Sequence, residues 1–451
     1  TDRGTSSRND RFPYATVIMV VGKMVVDATS TGALEAATRS RLNGAGYVVA
    51  DAVEISLIHC EKDRFGWLGN GFSQCFVEVD GVKCRVLDYA PSQALQPHAH
   101  DADERFLIGG GRVRLAKWSD VTSLEVGTPP TLEWKKAGDW LEVPAMTPHA
   151  LFADPDTGVQ FHEVVGDFGK RATEFLAPKE GTFVIGADSE LRFIPKSVSE
   201  AWAGKRVLVT GCSRGLGLSF AYYLVSAGAH VLATCRSPDR AEKLQRCVQY
   251  SPVQGGGGSS VLACDVSCEE SINSLVSKLG DFAIDMLVNN AGISSPNHPV
   301  DPIVSTNSTD LLSVFTTNVV GTVLLTQKLL PHLRRGADRK VCTLSSQLAS
   351  ITNCMGPTAA QGRAGGVACY RISRAASNMA MRALAGELEA EGFTVIPMSP
   401  GHAATDMGCS GGRAPSLTPD ESVAGMLRVM ASLGPADTGK FMQYNGIEQP
   451  W

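Results

Sequence analysis

The chain has 451 residues, 43% of them hydrophobic, and a formal net charge of −5. This length exceeds what one hydrophobic core usually serves, so we expect two or three domains. The slight acidity offers no basic stripe for nucleic acid, and no apolar run has the unbroken length of a membrane helix, so neither partner is expected.

Residues 1–65 are interpreted as an extension packed on the domain that follows. Residues 1–12 are polar and rich in Arg and Asp, which is typical of a disordered terminus. Residues 33–42 have the pattern of a short helix. The chain begins at Thr1 and not at Met, which leaves open a removed leader or organelle-targeting segment.

Three histidines and one glutamate have the spacing of a metal site. His98 and His100 alternate along an extended segment, so both imidazoles point to one side, and Glu104 follows four residues later. A second motif begins at Gly138 and ends at His149. Three imidazoles and one carboxylate suit a divalent transition metal such as Fe, Mn, Ni, Cu or Zn. The alternative is that His98 and His100 are solvent-facing and that His149 is a packed core residue.

These two motifs resemble those of the cupin family, which are small antiparallel β-barrels with a metal in the barrel mouth. The resemblance implies an all-β, metal-binding barrel over residues 66–190. Short apolar runs separated by Gly, Pro and Asp predict its strands: 106–108, 113–115, 140–143 and 159–161. The motifs depart from the family pattern at Ser92, Met146 and Ala153, where two glycines and an asparagine are expected.

The strand pattern ends between Pro178 and Gly204, where the composition becomes mixed. We interpret this stretch as a linker that contains a helix at 198–203, after Pro195. A second glycine-rich run, Gln254–Ser260, is interpreted as a surface loop because it falls inside the next domain.

An apolar strand at 207–209 breaks into a glycine-rich turn, Thr210–Gly217, which opens a helix over 218–227. Such a turn presents free backbone N–H groups to a dinucleotide pyrophosphate. Further apolar runs end at Arg236, Asp265, Asn289 and Leu344, and helical stretches separate them. Strands that alternate with helices predict a doubly wound parallel sheet, in which ligands bind beyond the carboxyl ends of the strands.

Residues 203–451 resemble the short-chain dehydrogenase/reductase family, in its C-factor and sniffer-like carbonyl reductase branch. The motifs that carry the resemblance, in the family's order, are Thr210–Gly217, Asn289-Asn290-Ala291-Gly292, Asn318, Ser345-Ser346, Tyr370 with Arg374, Ser399-Pro400-Gly401, Thr405-Asp406-Met407-Gly408 and the ending Gly439–Trp451. The resemblance implies a Rossmann fold and hydride transfer between a nicotinamide and a small carbonyl or alcohol.

The resemblance also assigns catalytic roles. Tyr370 would be the general acid in reduction, Ser346 would bind the substrate oxygen, and Asn318 would hold a proton-relaying water. Arg374 stands where the family has a lysine. A guanidinium keeps a positive charge beside the phenol, but it does not lose a proton and its reach differs. Two hypotheses therefore stay open: an active reductase, and an NADP-binding signalling or sensor protein with lost turnover, in which the cupin is the ligand-binding module.

Charge favours NADP(H) over NAD, since Arg236 at the end of the second strand and Arg214 in the glycine turn suit a 2′-phosphate. Asp265 would face the adenine, with a helix N-cap as its alternative role. The full set of expected cofactor contacts is Thr210, Gly211, Ser213, Arg214, Gly215, Leu216, Gly217, Arg236, Asp265, Val266, Asn290, Ala291, Gly292, Tyr370, Arg374, Pro400, Gly401 and Thr405.

The segment Gln347–Cys369 is rich in Gly and Ala and is expected to cover the substrate site as a lid, and Ser345 is interpreted as structural. Two such domains in one chain suggest a bifunctional enzyme whose barrel carries out a second step. The 12 cysteines include no CxxC pair, which favours a reducing compartment and a cytoplasmic location. The resemblance leaves open a homodimer formed through the reductase domain.

Overall fold

The computed structural model describes residues 24–26, 56–60, 72–79, 82–89, 94–100, 104–154, 157–164, 173–175, 181–185, 191–249, 258–296, 301–354 and 367–451. The chain divides into two compact units, Thr1–Ala177 and Pro178–Trp451. The predicted disordered terminus at 1–12 and the predicted helix at 33–42 lie outside the described residues.

The described part of the first unit consists of antiparallel strands and one short helix. Its strands are β1 (Met24–Val26), β2 (Ser56–Cys60), β3 (Phe72–Val79), β4 (Val82–Tyr89), β5 (Ala94–His100), β6 (Glu104–Lys117), β7 (Thr131–Lys136), β8 (Trp140–Val143), β9 (His149–Ala153), β10 (Val159–Val164) and β11 (Thr173–Phe175), and its helix is α1 (Val121–Glu125). The main path through the sheet is β1-β2-β3-β4-β10-β6-β9-β5-β11, with β7 and β8 also paired to β6.

Aromatic and branched side chains from β6, β8, β9 and β10 form the core of this unit, among them Phe106, Leu115 and Phe161. The predicted strands at 106–108 and 113–115 are one strand, β6. Gly111 carries the chain through the intervening glycines with a φ of +70°, where a Cβ would collide with the carbonyl of Gly158. The antiparallel pairing of the described strands agrees with the predicted β-sheet architecture, while closure into a cupin barrel stays a prediction.

The segment interpreted as a linker is structured and belongs to the second unit. It contains a hairpin, β12 (Gly181–Ile185) with β13 (Leu191–Pro195), and then α2 (Lys196–Trp202). Val198 and Trp202 of α2 are buried in the core of the second unit. Buried Arg192 pairs with Asp420 at 2.9 Å, and its guanidinium stacks on the Tyr222 ring. These long-range contacts place the division before Pro178, earlier than the sequence pattern suggested.

The rest of the second unit is a parallel sheet covered by helices. Its strands are β14 (Arg206–Val209), β15 (His230–Cys235), β16 (Ser260–Ala263), β17 (Met286–Asn289), β18 (Lys340–Leu344), β19 (Thr394–Ser399) and β20 (Met442–Gln443). Its helices are α3 (Gly215–Ser226), α4 (Glu242–Gln249), α5 (Glu269–Leu279), α6 (Ser308–Phe315), α7 (Thr322–Arg334), α8 (Ala368–Leu388), α9 (Asp406–Cys409) and α10 (Pro419–Ser432). The sheet order β16-β15-β14-β17-β18-β19-β20 is doubly wound and reverses between β14 and β17, which confirms the predicted class.

Helices α6 and α7 are joined by a π-type turn, Thr316–Gly321, into one run from Ser308 to Arg334. Within the described residues, this run is the one helix long and apolar enough to span a membrane by length and composition, a test that core helices also pass. Its buried residues include Asn318, Thr322 and Thr326. This polar face points to a role in the fold of the second unit.

Candidate active site

The glycine turn after β14 packs closely against its neighbours because three of its residues lack a side chain. Gly211 and Gly215 have φ values of +71° and +58°, which favour glycine. A Cβ on Gly217 would fall against the carbonyl of Gly211 and the amide of Asn290. The turn therefore brings its backbone close to the start of α3, at the reversal of strand order, as the sequence predicted.

Thr210 and Asn290 join the ends of β14 and β17. The Thr210 hydroxyl oxygen accepts the N–H groups of Asn290 and Ala291 at 3.0 and 2.9 Å. In the other direction, the Asn290 side chain donates to the carbonyls of Thr210 and Gly211 at 2.7 and 3.1 Å. Both residues were predicted as cofactor contacts, and they also hold the glycine turn against the neighbouring strand end.

Arg374 is buried at the centre of the site, with 3% of its surface exposed. Its Nη1 donates to the carbonyl of Leu344, the last residue of β18, at 2.8 Å. Its Cζ lies 5.2 Å from the centroid of the Tyr370 ring, within the range of a cation–π interaction. Its Nη2 packs against Gly292, where a Cβ would overlap it. The guanidinium fits only because position 292 has no side chain.

The Nε of Arg374 is buried and has no hydrogen-bond partner. Among the described residues, no carboxylate lies within ion-pair distance of this guanidinium. A buried cation without a counter-ion is costly, and an unpaired buried donor adds to that cost. These features suit a site that is completed by a ligand with acceptor oxygens.

Asn318 lies in the π-type turn and is fully buried. Its Oδ1 accepts the N–H of Ile293, and its Nδ2 donates to the Ile293 carbonyl and to the Ser373 hydroxyl. Ser373 in turn donates to the carbonyl of Tyr370 at 2.9 Å. This chain of hydrogen bonds fixes the loop that follows Gly292 to the helix that carries Tyr370. Ser373 has the i+3 spacing from Tyr370 that places both on one helix face, a signal that sequence reasoning missed.

Ser345 and Ser346 follow β18 and differ in their surroundings. Ser345 is buried and donates to the Asn378 carboxamide at 2.6 Å, which agrees with a structural role. Ser346 is half-buried and accepts the N–H of Leu348 at 3.2 Å, and the short turn that it begins packs against α8. Ser346 is therefore the serine better placed to reach a ligand.

The segment after β19 lies against the glycine turn. The Thr405 methyl group would be 3.4 Å from a Cβ on Gly215. The Nη1 of Arg214 pairs with the neighbouring Asp406 at 2.6 Å, although both side chains are about three-quarters exposed. Gly401 has a φ of +73° and packs on Tyr444. Thr405 and Asp406 thus lie against the glycine turn, Asp406 as a partner that the sequence did not indicate, whereas the cofactor contact of Gly401 stays a prediction.

Three further predicted cofactor contacts, Asp265, Val266 and Arg236, follow the strands β16 and β15 and differ in their surroundings. The Asp265 carboxylate accepts from the N–H and hydroxyl of Ser267, so it stabilises its own turn, whereas the residue before α5 is Cys268. The carbonyl of Val266 packs on Gly321 of the π-type turn. Arg236 is exposed at the end of β15. Asp265 is therefore not the N-cap, and its predicted contact with adenine stays a prediction.

Residues 355–366 of the predicted lid lie outside the described residues. The start of the lid is described and is held by the chain's last residues: the Trp451 carbonyl accepts the N–H of Thr352 at 2.8 Å and the hydroxyl of Ser350 at 3.2 Å. The Trp451 ring lies beside Phe441 and the guanidinium of Arg382.

In the first unit, His98 and His149 face each other across β5 and β9. Both are buried, and their ring centroids are 4.2 Å apart. His98 is therefore not solvent-facing, which removes that part of the alternative interpretation. The side chains of His100 and Glu104 lie outside the described part, and within that part no group of three or more possible metal ligands is found. The predicted metal centre is not established by this geometry.

The fold and the glycine turn at the reversal of strand order define a nucleotide-binding α/β oxidoreductase unit. Residues 205–413 match the model of the short chain dehydrogenase family. The C-signal protein of Myxococcus xanthus is 38% identical over 168 residues, which are 37% of this chain and 93% of that protein. The chain belongs to the short chain dehydrogenase family.

Other relatives cover the same unit. An uncharacterised oxidoreductase of Schizosaccharomyces pombe is 30% identical over 265 residues, 55% of this chain and 98% of that protein. The structure of an NADPH-bound carbonyl reductase from chicken fatty liver is 31% identical in sequence, spans 55% of this chain and 100% of its own, and has a TM-score of 0.49.

The contact between Gly292 and Arg374 can be tested by overpacking. We expect Gly292→Ala to lower the free energy of unfolding by about 1–3 kcal/mol, because the new methyl group displaces the guanidinium. Gly292→Ala combined with Arg374→Ala should cost less than the sum of the single changes, as measured by urea unfolding of the full chain.

The matched control is Gly386→Ala on the exposed side of α8, where a Cβ meets nothing within 4 Å. An alanine there should be neutral or stabilising. Strict additivity of Gly292→Ala and Arg374→Ala would contradict the packing described above.

Proposed function

We propose that the second unit is an NADP(H)-dependent oxidoreductase that interconverts a small carbonyl compound and its alcohol. The observation that carries the proposal is the placement of the Arg374 guanidinium against the Tyr370 ring at the carboxyl ends of β17 and β18. This arrangement pairs a hydroxyl that can exchange a proton with a permanent positive charge, beside a turn that suits a dinucleotide.

The residues fit a dinucleotide, since the glycines let the turn pack closely at the start of α3, where backbone N–H groups can face a phosphate, and Arg374 Nε lacks an acceptor. A reduced nicotinamide would supply hydride to the carbonyl carbon. Tyr370 transfers its hydroxyl proton to the carbonyl oxygen as that oxygen becomes an alcohol, and Ser346 donates a hydrogen bond to the same oxygen. Tyr370 then regains a proton from solvent, and in alcohol oxidation each transfer runs in reverse.

Arg374 supports this chemistry by charge and not by proton transfer. A guanidinium does not lose its proton, so it keeps a positive charge beside the Tyr370 ring throughout the cycle. The Asn318 carboxamide is occupied on both sides by Ile293 and Ser373. Asn318 therefore acts by fixing the geometry around Tyr370, and a relay water would have to bind main-chain groups.

We expect Tyr370→Phe to lower the turnover of aldehydes and ketones by about 100-fold or more while NADPH binding is kept, because only the proton donor is lost. Arg374→Ala should also lower kcat, and Arg374→Lys should retain more activity than Arg374→Ala because the charge is kept. Turnover is measured by NADPH absorbance, and binding by fluorescence titration.

Tyr222→Phe is the matched control, since its hydroxyl donates to the Lys243 carbonyl away from the site. Tight NADPH binding by the wild type without turnover of any carbonyl compound, unchanged in Arg374→Lys, would contradict the enzymatic role. That result would favour the alternative, an NADP-binding signalling or sensor protein.

The preference for NADP(H) rests on Arg214 and Arg236. The ion pair of Arg214 with Asp406 is exposed and worth at most about 1 kcal/mol, so a dianionic phosphate can displace the carboxylate. Arg236 is exposed at the end of the strand next to β14, where a 2′-phosphate is expected.

Arg214→Ala and Arg236→Ala should each raise the Kd for NADPH by about 10-fold or more and leave the Kd for NADH nearly unchanged, since a charged hydrogen bond to the phosphate is lost. Asp406→Asn should tighten NADPH binding slightly by releasing Arg214. Exposed Arg428→Ala on α10 is the control. Equal losses for NADPH and NADH would rule out recognition of the 2′-phosphate.

We further propose that the first unit is a cupin-like metal centre with His98, His100, Glu104 and His149 as ligands, and that it carries out a second step. The support is the buried His98–His149 pair on facing strands. The Nδ1 of His149 lies 3.0 Å from the Thr147 carbonyl, which can only accept, so Nδ1 is the donor in this contact. Histidines that ligate a metal through one ring nitrogen donate the other N–H in this way.

Elemental analysis tests the metal centre. Purified wild type should hold about one transition-metal ion per chain, and His98→Ala with His149→Ala should remove most of it, because two of four ligands are lost. His230→Ala in the second unit is the control. Equal metal content in the wild type and the double variant would overturn the assignment.

A further inference from the structure

Asp301 is a buried carboxylate that no motif indicated, and only 5% of its surface is exposed. Its Oδ2 accepts the Ser295 hydroxyl and the N–H of Cys369, both at 3.0 Å. Its Oδ1 accepts the Thr306 hydroxyl, also at 3.0 Å. Its backbone carbonyl accepts the N–H of Ala368 at 2.8 Å. One residue thus joins the loop that follows Gly292 to the first turn of α8.

The charge of Asp301 is compatible with this burial. Burial acts to raise the pKa of the carboxyl group, but the hydrogen bonds from Cys369, Ser295 and Thr306 outweigh it and leave the pKa below its ordinary value. The carboxylate is therefore ionised at neutral pH. A negative charge at a helix N-terminus is also favourable, because the first N–H groups of α8 point toward it.

The residue before α8 needs this support. Val367 has φ and ψ of +58° and +43°, a left-handed conformation that is unfavourable for a β-branched side chain, and α8 has no side-chain cap of its own. Such strain costs about 1–3 kcal/mol and persists only where neighbouring contacts enforce it. The next two N–H groups, those of Ala368 and Cys369, both donate to Asp301.

We infer that Asp301 is a positioning residue that sets the first turn of α8 and, through it, the place of the Tyr370 hydroxyl. Tyr370 follows Cys369 directly, so loss of the Asp301 contacts releases the helix start next to the proton donor. The same carboxylate binds Ser295, three residues beyond Gly292, so Asp301 holds both the loop after Gly292 and the start of α8. The kinetic part of this inference rests on the proposed function, whereas the structural part does not.

Hydrogen–deuterium exchange of the full chain tests the structural part without any turnover. In Asp301→Ala, amides of residues 368–371 should exchange about 10-fold faster or more, which corresponds to about 1.4 kcal/mol of local stability. Peptides from α3 and β14 should keep the wild-type rate. Asp281→Ala, which removes an exposed carboxylate just after α5, is the matched control and should leave residues 368–371 unchanged.

Kinetics with an aldehyde substrate test the consequence for Tyr370. Asp301→Ala should lower kcat by about 10-fold with little change in the KM for NADPH, because the chemical step is affected and not cofactor binding. Asp301→Asn should restore most of the rate, since a carboxamide can accept the Cys369 N–H and donate to a hydroxyl. A purely structural role predicts parallel losses of stability and activity, with no such split.

Each outcome decides between the two proposals. Unchanged exchange at residues 368–371, or faster exchange spread over the whole unit, overturns the inference whatever the activity. Faster local exchange in a wild type that reduces no carbonyl compound upholds the anchor and rejects the proposed function. Faster local exchange with an unaltered kcat shows that Asp301 does not position Tyr370.

Discussion

The burial of the Arg374 guanidinium is the constraint on which the arrangement of the site depends. A buried cation needs acceptors and close packing, and here it has the Leu344 carbonyl, the face of the Tyr370 ring and the bare backbone of Gly292. These contacts come from the ends of β17 and β18 and from α8, so the charge holds three elements at fixed distances. The Arg374 Nε has no hydrogen-bond partner, so a ligand oxygen that accepts from Nε would complete the hydrogen bonds of the guanidinium.

The glycine turn and the helix of Tyr370 are linked through segments that bind no ligand themselves. Thr210 and Asn290 exchange hydrogen bonds between β14 and β17. Asn318 connects the loop after Gly292 to α8, because its carboxamide bonds both Ile293 and Ser373. Because these side chains are buried and nearly saturated with partners, they rigidify the site. The glycine turn and the helix that carries Tyr370 are therefore parts of one hydrogen-bonded framework.

Local patterns predicted the five parallel strands β14 to β18 and the motifs at their ends, because parallel strands are apolar throughout and their carboxyl ends gather at one edge. What the sequence could not indicate depends on contacts between distant residues. Asp301 and Cys369 are separated by 68 positions, and nothing near Asp301 marks it as part of the site. The supposed linker was missed for the same reason, since its place is set by Arg192 against Asp420 and Tyr222. In the first unit, the motif spacing predicted that histidines come together, and His98 and His149 do so. The side chains of His100 and Glu104, which would distinguish a metal centre from a packed pair of histidines, lie outside the described part.

Replacement of a lysine by arginine changes what the rest of the site must do. A lysine amine can pass protons because it can lose one, but a guanidinium cannot, so in this chain the cation contributes charge and shape alone. Shape then becomes critical, since a planar fork fits against Gly292 and the Leu344 carbonyl in few orientations. A phenol that works beside such a fixed charge has to be held equally firmly, and the strained turn at Val367, enforced from Asp301, is the feature that holds it. Arg374, which replaces the family's lysine, and Asp301, which the sequence did not indicate, thus meet the same requirement: both hold Tyr370 in a fixed position.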